Sequence, residues 1–318
     1  MKKDSLVIET KDREFLFTLG YTHPPDSYNC YLQYVPFQEG DDPAFKKKIG
    51  ELDYFKLTHI LHYYSPKEYF ERAAKSKSIK YLSTDYLLGK VFKVNQEDVK
   101  RVIDPREVMK RLNKKTETLV EKIAKILKVK KEDMGIMGSS LYGGRTEISD
   151  MDIVIYGRNK CTKAAKIIKQ LTKKKEHQVI KYGRVHHRLF HIEGNIIDPH
   201  FILNDDENSM MEDYNFVFKG NKMLHGTIKE NIESCFTPAV YKTEKGYFVT
   251  YTIGHRLLLD EGIEIELPTK LFEGTHKVSG IKNNFYIYRV EDGWRDPTKR
   301  KLFSKRVYSI PKVMKNAA

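Results

Sequence analysis

Between residues 105 and 205 the spacing of apolar positions changes several times. Val108, Leu112, Leu119, Ile123 and Ile126 recur at steps of three or four residues, or sums of them. Asp104 and Pro105 ahead of them supply a cap and a first-turn proline, so the pattern predicts one long amphipathic helix over about 105–128. Met134 to Met137 then reads as a short strand, Gly138-Ser139-Ser140 as a glycine-bearing turn, and Met151 to Tyr156 as a second strand. Ala164, Ala165, Ile168 and Leu171 put the inner face of another helix on Cys161 to Lys174. Arg188 to Ile192 and Ile196 to Ile202 are apolar, alternating runs around Glu193-Gly194-Asn195, which predicts a hairpin.

The flanking regions read differently. Phe15-Leu16-Phe17 and Tyr28 to Val35 are strand-like, and Ser65-Pro66 would open a helix reaching about Lys75. From about residue 235, Tyr247 to Ile253, Ile263 to Leu267 and Phe285 to Val290 are β-branched or aromatic and bounded by Gly, Asn and Asp, which predicts an all-β module. There is no internal repeat and no Pro/Gly/Ser linker, so boundaries follow the changes of period. The expected fold class is α+β: an N-terminal accessory α+β domain (1–103), a central domain (104–218), and a strand-rich module with a basic tail (219–318).

A chain of 318 residues has room for two domains or a compact three. Its 40% hydrophobic and 31% charged residues exclude a disordered or fibrous chain as a whole. No apolar run approaches the roughly 18 residues of a membrane helix, and Met1-Lys2-Lys3-Asp4 opens without a signal-like stretch, so a soluble, unexported protein without a membrane partner is expected. Cys30, Cys161 and Cys235 are isolated, which excludes a zinc cage or disulfide framework and fits a reducing cytoplasm. The net charge of +14 favours polyanions. Half of it lies in residues 294–315, where eight basic side chains face one acid, Asp296, and Trp294, Phe303 and Tyr308 are interleaved as in a nucleic-acid contact.

The stretch Gly138-Ser139-Ser140 through Asp150-Met151-Asp152 carries the chemistry. Residues i and i+2 of a strand share a face, so Asp150 and Asp152 project together, and Asp198 lies in the second run of the hairpin. Two carboxylates about 4 Å apart repel by about 4 kcal/mol at an effective dielectric near 20, so three that converge call for a cation. Oxygen ligands favour Mg²⁺, which keeps waters and is completed by substrate phosphates. Gly138 permits a close backbone approach, and the amides and hydroxyls of Ser139 and Ser140 can hold phosphate oxygens. Metal on one side and phosphate donors on the other describe a nucleoside-triphosphate (NTP) site with two Mg²⁺ ions about 3.5–4 Å apart, Mn²⁺ being a substitute.

Gly138-Ser139, Asp150, Asp152 and a later-strand Asp198 resemble the pattern of the DNA polymerase beta-type nucleotidyltransferase superfamily over about residues 105–205. The resemblance implies a nucleotidyltransferase core in which Asp150 and Asp152 bind both metals. It also implies that Asp198 binds the catalytic metal and helps deprotonate the acceptor hydroxyl, while Ser139 contacts the triphosphate. Gly20-Tyr21-Thr22-His23-Pro24-Pro25 and Tyr31-Leu32-Gln33-Tyr34-Val35-Pro36 are similar to the N-terminal region of an archaeal group of predicted nucleotidyltransferases. The expected activity is transfer of a nucleoside monophosphate from an NTP to a hydroxyl acceptor, with RNA expected. The alternatives are a protein or small-molecule acceptor, and a non-catalytic RNA-binding protein of the same fold.

Other residues keep two readings. Glu193 is the substitute for Asp198 as third carboxylate. Arg184 or Arg188 would touch phosphate or remain solvated, Arg188 being placed with the nucleotide-binding set. His186 and His187, adjacent in a strand, should point to opposite faces, which disfavours shared metal ligation with His191. Lys166, Lys169 and Lys173 form a stripe expected to be solvated, and His23-Pro24-Pro25 is expected to shape a rigid turn.

Overall fold

A computed structural model describes residues 4–57, 66–73, 76, 81–85, 87, 89–138, 141, 150–181, 184–251 and 256–289. The fold is α+β, with several sheets and few helices. Among the described residues no helix is long and apolar enough to cross a membrane. The expected cap Ser65 and the basic tail with Trp294, Phe303 and Tyr308 lie outside the described residues.

The N-terminal module is one eight-stranded sheet: β1 (Val7–Thr10), β2 (Phe15–Thr18), β3 (Ser27–Pro36), β4 (Lys46–Ile49), β5 (Leu52–Lys56), β6 (Tyr81–Asp85), β7 (Gly89–Asn95) and β8 (Val99–Ile103). Helix α1 (Pro66–Ala73) fixes itself to β3 through the Tyr69 hydroxyl, which donates to the Leu32 carbonyl at 2.8 Å.

A single helix over 105–128 was expected. Instead a four-residue helix, α2 (Pro105–Val108), runs into a 3₁₀ turn, and α3 (Lys114–Leu127) starts afresh. Asn113 causes the break: its backbone is extended (φ −70°, ψ 157°) and its side chain accepts from the Thr116 amide, so a cap forms inside an otherwise continuous apolar stripe. A five-stranded sheet follows in the order β11-β12-β13-β10-β9: β9 (Met134–Ile136), β10 (Met151–Tyr156), β11 (Gln178–Lys181), β12 (Arg184–Ile192) and β13 (Asn195–Ile202). Helix α4 (Arg158–Leu171) leaves β10 and, with α3, buries Leu119, Val120, Ile123, Cys161, Ala164 and Ile168 in a common core with the sheet. The β12–β13 hairpin turns through Glu193 (φ 47°) and Gly194 (φ 76°), the paired positive angles of the tight hairpin turn.

The C-terminal module is a closed barrel of β14 (Tyr214–Asn231), β15 (Ala239–Thr243), β16 (Gly246–Thr250), β17 (Glu264–His276) and β18 (Lys282–Tyr288). It begins at Tyr214, so β14 runs across the boundary expected at 218/219 and starts well before residue 235. The order first-second-third-fifth-fourth, with the third and fifth strands parallel, is that of OB-type barrels. Tyr241, Phe248, Leu224 and Leu267 fill the interior. Val240, Val249 and Ile287 alternate with the inward residues and belong to the same apolar core as Leu16, Tyr31 and Leu32 of the N-terminal module. The outer face of the second and third barrel strands is therefore covered by the first domain. Tyr21 joins the core of the central module, and its hydroxyl accepts from the Leu203 amide at 3.0 Å.

Candidate metal and anion centre

Strands β10 and β13 are parallel neighbours in a register that sets Asp152 directly beside Asp198. Alternation along β13 returns His200 to the same face, two residues on. Asp152, Asp198 and His200 each offer one ligand atom, and these atoms lie within 4.8 Å of one another. The His200 Nε2 is 3.4 Å from an Asp152 oxygen and 3.8 Å from Asp198 Oδ1. Gly138 closes the β9 side. Its φ of +67° is a left-handed angle, and a Cβ there would fall 1.8 Å from Asp152 Oδ2, so only glycine lets the carboxylate lie against the turn.

Arg188 closes the opposite side from β12. Its Nη2 donates to Asp198 Oδ2 at 3.0 Å and lies 2.8 Å from Oδ1, with the guanidinium side chain only 5% exposed. Burial pushes the Asp198 carboxyl up. The positive charge of Arg188, joined by His200, His186 and Arg256, outweighs that and holds it below its ordinary value. Asp198 is thus an anion at neutral pH despite its burial.

Two further groups come from the other modules. Arg256, 1% exposed, follows the barrel's third strand and brings Nη2 to 3.4 Å from His200 Nδ1. Its carbonyl lies 2.8 Å from His187 Nε2. Asp4 accepts from the Gly20 amide at 2.7 Å and the Ser5 hydroxyl at 2.9 Å. Burial raises the Asp4 carboxyl, partly offset by Arg256. Burial and then the charge of Arg188 lower the Arg256 guanidinium to about 10, against the pull of Asp4 and Asp198. Tyr34 of β3 lies near enough to Asp152 for that charge to add to burial in raising its phenol.

The expected residues fall into place unevenly. Asp152 and Asp198 come together. Asp150 directly precedes β10 and is not among the three mutually close groups, whereas His200, absent from the expected set, is. Gly138 sits against Asp152, while Ser139 and Ser140 lie outside the described residues. Arg188 is tied to Asp198 rather than solvated. Glu193 occupies the hairpin tip, ion-paired to Lys122 at 2.6 Å. His186 and His187 do not point apart: their rings stack 10° from parallel with centroids 5.1 Å apart. The amides of Arg188 and Leu189 donate to His186 Nδ1, and the bulged register of β12 against β11 over this stretch breaks simple alternation. Lys166 and Lys173 are exposed, and Lys169 pairs with Asp260. His23 shapes its turn, with Nε2 3.0 Å from the Gly20 carbonyl and Nδ1 accepting from the Asn29 amide.

His200 carried a signal: Asp198-Pro199-His200 repeats the i, i+2 spacing of Asp150 and Asp152. Arg256 and Asp4 carried none, because only the packing of three modules brings them to β13.

The chain is similar to an uncharacterized protein of Methanocaldococcus jannaschii, at 29% identity over 173 residues that cover 51% of this chain and 50% of that protein. The chain thus spans about half the length of that curated relative. No family model and no solved structure matches the chain.

Proposed function

We propose that the protein is a metal-dependent nucleotidyltransferase with a polymerase beta-type core in its central module. The observation that carries the reading is the side-by-side placement of Asp152 and Asp198 on parallel strands, with Gly138 packed against the first carboxylate. The donor set suits a divalent ion. Two carboxylates and an imidazole lie within reach of one cation, and neither His200 Nε2 nor Asp198 Oδ1 has a well-directed hydrogen bond among the described residues. Oxygen donors suit Mg²⁺ and Mn²⁺ alike, and the added imidazole favours Mn²⁺. Such an ion would be held by Asp152, Asp198 and His200 and, when bound, would supply charge neutralisation to the triphosphate and acidify the acceptor hydroxyl.

The chain's own residues do the remainder. Gly138 admits the Asp152 carboxylate against its turn and so sets that ligand at the end of β9, where the NTP phosphates would lie. Asp198 stays ionised under Arg188 and takes up the proton of the acceptor hydroxyl. The acceptor oxygen bonds the α-phosphorus, the bond from that phosphorus to the α–β bridging oxygen breaks, and pyrophosphate leaves; the proton passes from Asp198 to water. RNA is the acceptor we favour, on the net charge of +14.

The test has two parts. Mn²⁺ binding is followed by electron paramagnetic resonance in the wild type and in Asp152→Asn, and α-labelled NTPs are incubated with Mg²⁺ or Mn²⁺ and either total RNA or protein extract. Saturable Mn²⁺ binding lost in the variant, with label entering RNA, is the expected result. Label entering protein would move the acceptor to the alternative class. Absence of both Mn²⁺ binding and transfer would overturn the reading.

A further inference from the structure

Two buried guanidiniums converge on the side of the centre away from Gly138. Across the sheet the order is β9 with Gly138, β10 with Asp152, β13 with Asp198 and β12 with Arg188, so the glycine turn and Arg188 flank the carboxylates on opposite sides. Arg256 arrives on the Arg188 side, against His187 and His200. Among the described residues, Nε and Nη1 of Arg188 and Nε and Nη1 of Arg256 have no hydrogen-bond partner. Each unmet buried donor carries a desolvation penalty, larger on a charged group. Asp198 uses only Nη2 of Arg188, and His200 meets only Nη2 of Arg256.

Guanidinium forks present paired N–H groups that match the oxygens of a phosphate. We infer that Arg188 and Arg256 form a seat for a phosphate ester group of the acceptor, separate from the NTP phosphates at the Gly138 side. This rests on the nucleotidyl-transfer reading and deepens it. The acceptor would carry phosphate beside its reacting hydroxyl, as a polynucleotide end or a small phosphorylated alcohol does, and a seryl or tyrosyl side chain does not. Because Arg256 belongs to the barrel module, that module completes the acceptor site with a side chain.

The full chain is titrated in EDTA with adenosine, adenosine monophosphate and a short RNA, for the wild type, Arg256→Gln and Arg256→Lys. Binding of the phosphorylated probes at least about tenfold tighter than adenosine is expected, with about tenfold loss in Arg256→Gln and partial retention in Arg256→Lys. RNA binding much tighter than adenosine monophosphate identifies a polynucleotide acceptor; equal binding identifies a small one. With metal and NTP present, Arg256→Gln should raise the acceptor KM and leave the NTP KM unchanged. Mn²⁺ binding, measured separately, should persist in Arg256→Gln. A folded Arg256→Gln that binds the phosphorylated probes as well as wild type, or raises only the NTP KM, would overturn the seat. Absence of both Mn²⁺ binding and transfer in wild type would overturn the transfer reading while the EDTA titration still judges the seat. Should the Arg256 variants not fold, arginine side-chain nitrogen resonances of labelled wild type decide: they should shift with adenosine monophosphate and not with adenosine, and no shift overturns the seat.

Discussion

Arg158–Glu233 and Arg188–Asp198 are both arginine–carboxylate pairs with one deeply buried partner, Glu233 in the first and Arg188 in the second, and they are finished differently. Glu233, 1% exposed, accepts from Arg158 Nη1 and the Met210 amide through one oxygen and from the Ser209 hydroxyl through the other. Arg158 Nη2 reaches the Asn208 carbonyl, and its amide donates to Glu207. The pair ties the start of α4 to the loop before the barrel and to the segment after β14. Around Arg188–Asp198, by contrast, four guanidinium nitrogens and one imidazole nitrogen are unmatched among the described residues. A saturated pair holds elements in place; an unsaturated one, with its guanidinium buried where that of Arg158 is partly exposed, retains its capacity to bind.

The largest test of that contrast is Glu233→Ala. Leaving Arg158, Met210 N–H and Ser209 without their acceptor should cost about 3 kcal/mol, read as a lower urea midpoint. Gly138→Ala should come next, at about 2 kcal/mol, because the left-handed backbone and the Asp152 carboxylate both oppose a Cβ. It should also weaken Mn²⁺ binding, which Glu233→Ala, if still folded, should not. Asp152→Asn should leave stability unchanged or raise it by up to about 1 kcal/mol by relieving its repulsion with Asp198, while lowering Mn²⁺ affinity at least about tenfold. A large loss of stability in that variant would make Asp152 a structural residue.

The smallest effect is in pH. Asp198 is held below its ordinary value, so its contribution to stability is complete above the unfolded carboxylate range near pH 4 and is lost as pH falls through its lowered native value. The stability difference between wild type and Asp198→Asn, followed by urea unfolding from pH 6 downward, should therefore shrink on the acid side. A constant difference would remove Asp198 as a source of acid sensitivity.

What was legible in the sequence follows from where burial is strong. Met151 to Tyr156 is a strand as expected, since five of its six residues are buried and the apolar run says so. The start of the barrel was hidden because much of β14 is exposed or half-buried, giving little alternation to read. The split between α2 and α3 was hidden because an apolar stripe continues across Asn113. In the candidate site, spacing paired Asp152 with Asp150, and Asp198 stood out only as a carboxylate in the apolar hairpin run; it is the cross-strand register that sets Asp152 beside Asp198. Arg188 was legible as a residue of interest but not as the partner of Asp198. Arg256 and Asp4 meet β13 only through tertiary packing.

That meeting has a consequence for synthesis. A centre that draws on strands β10 and β13 and on Arg256 is incomplete until the ribosome has released the stretch after β16. At about 5–20 residues per second, this leaves Asp152 and Asp198 facing each other without Arg256 for several seconds after β13 emerges. During that interval a nascent chain would hold its carboxylates before its second guanidinium. The acceptor seat is then the last part of the centre to form, so a prematurely terminated chain would lack half of it.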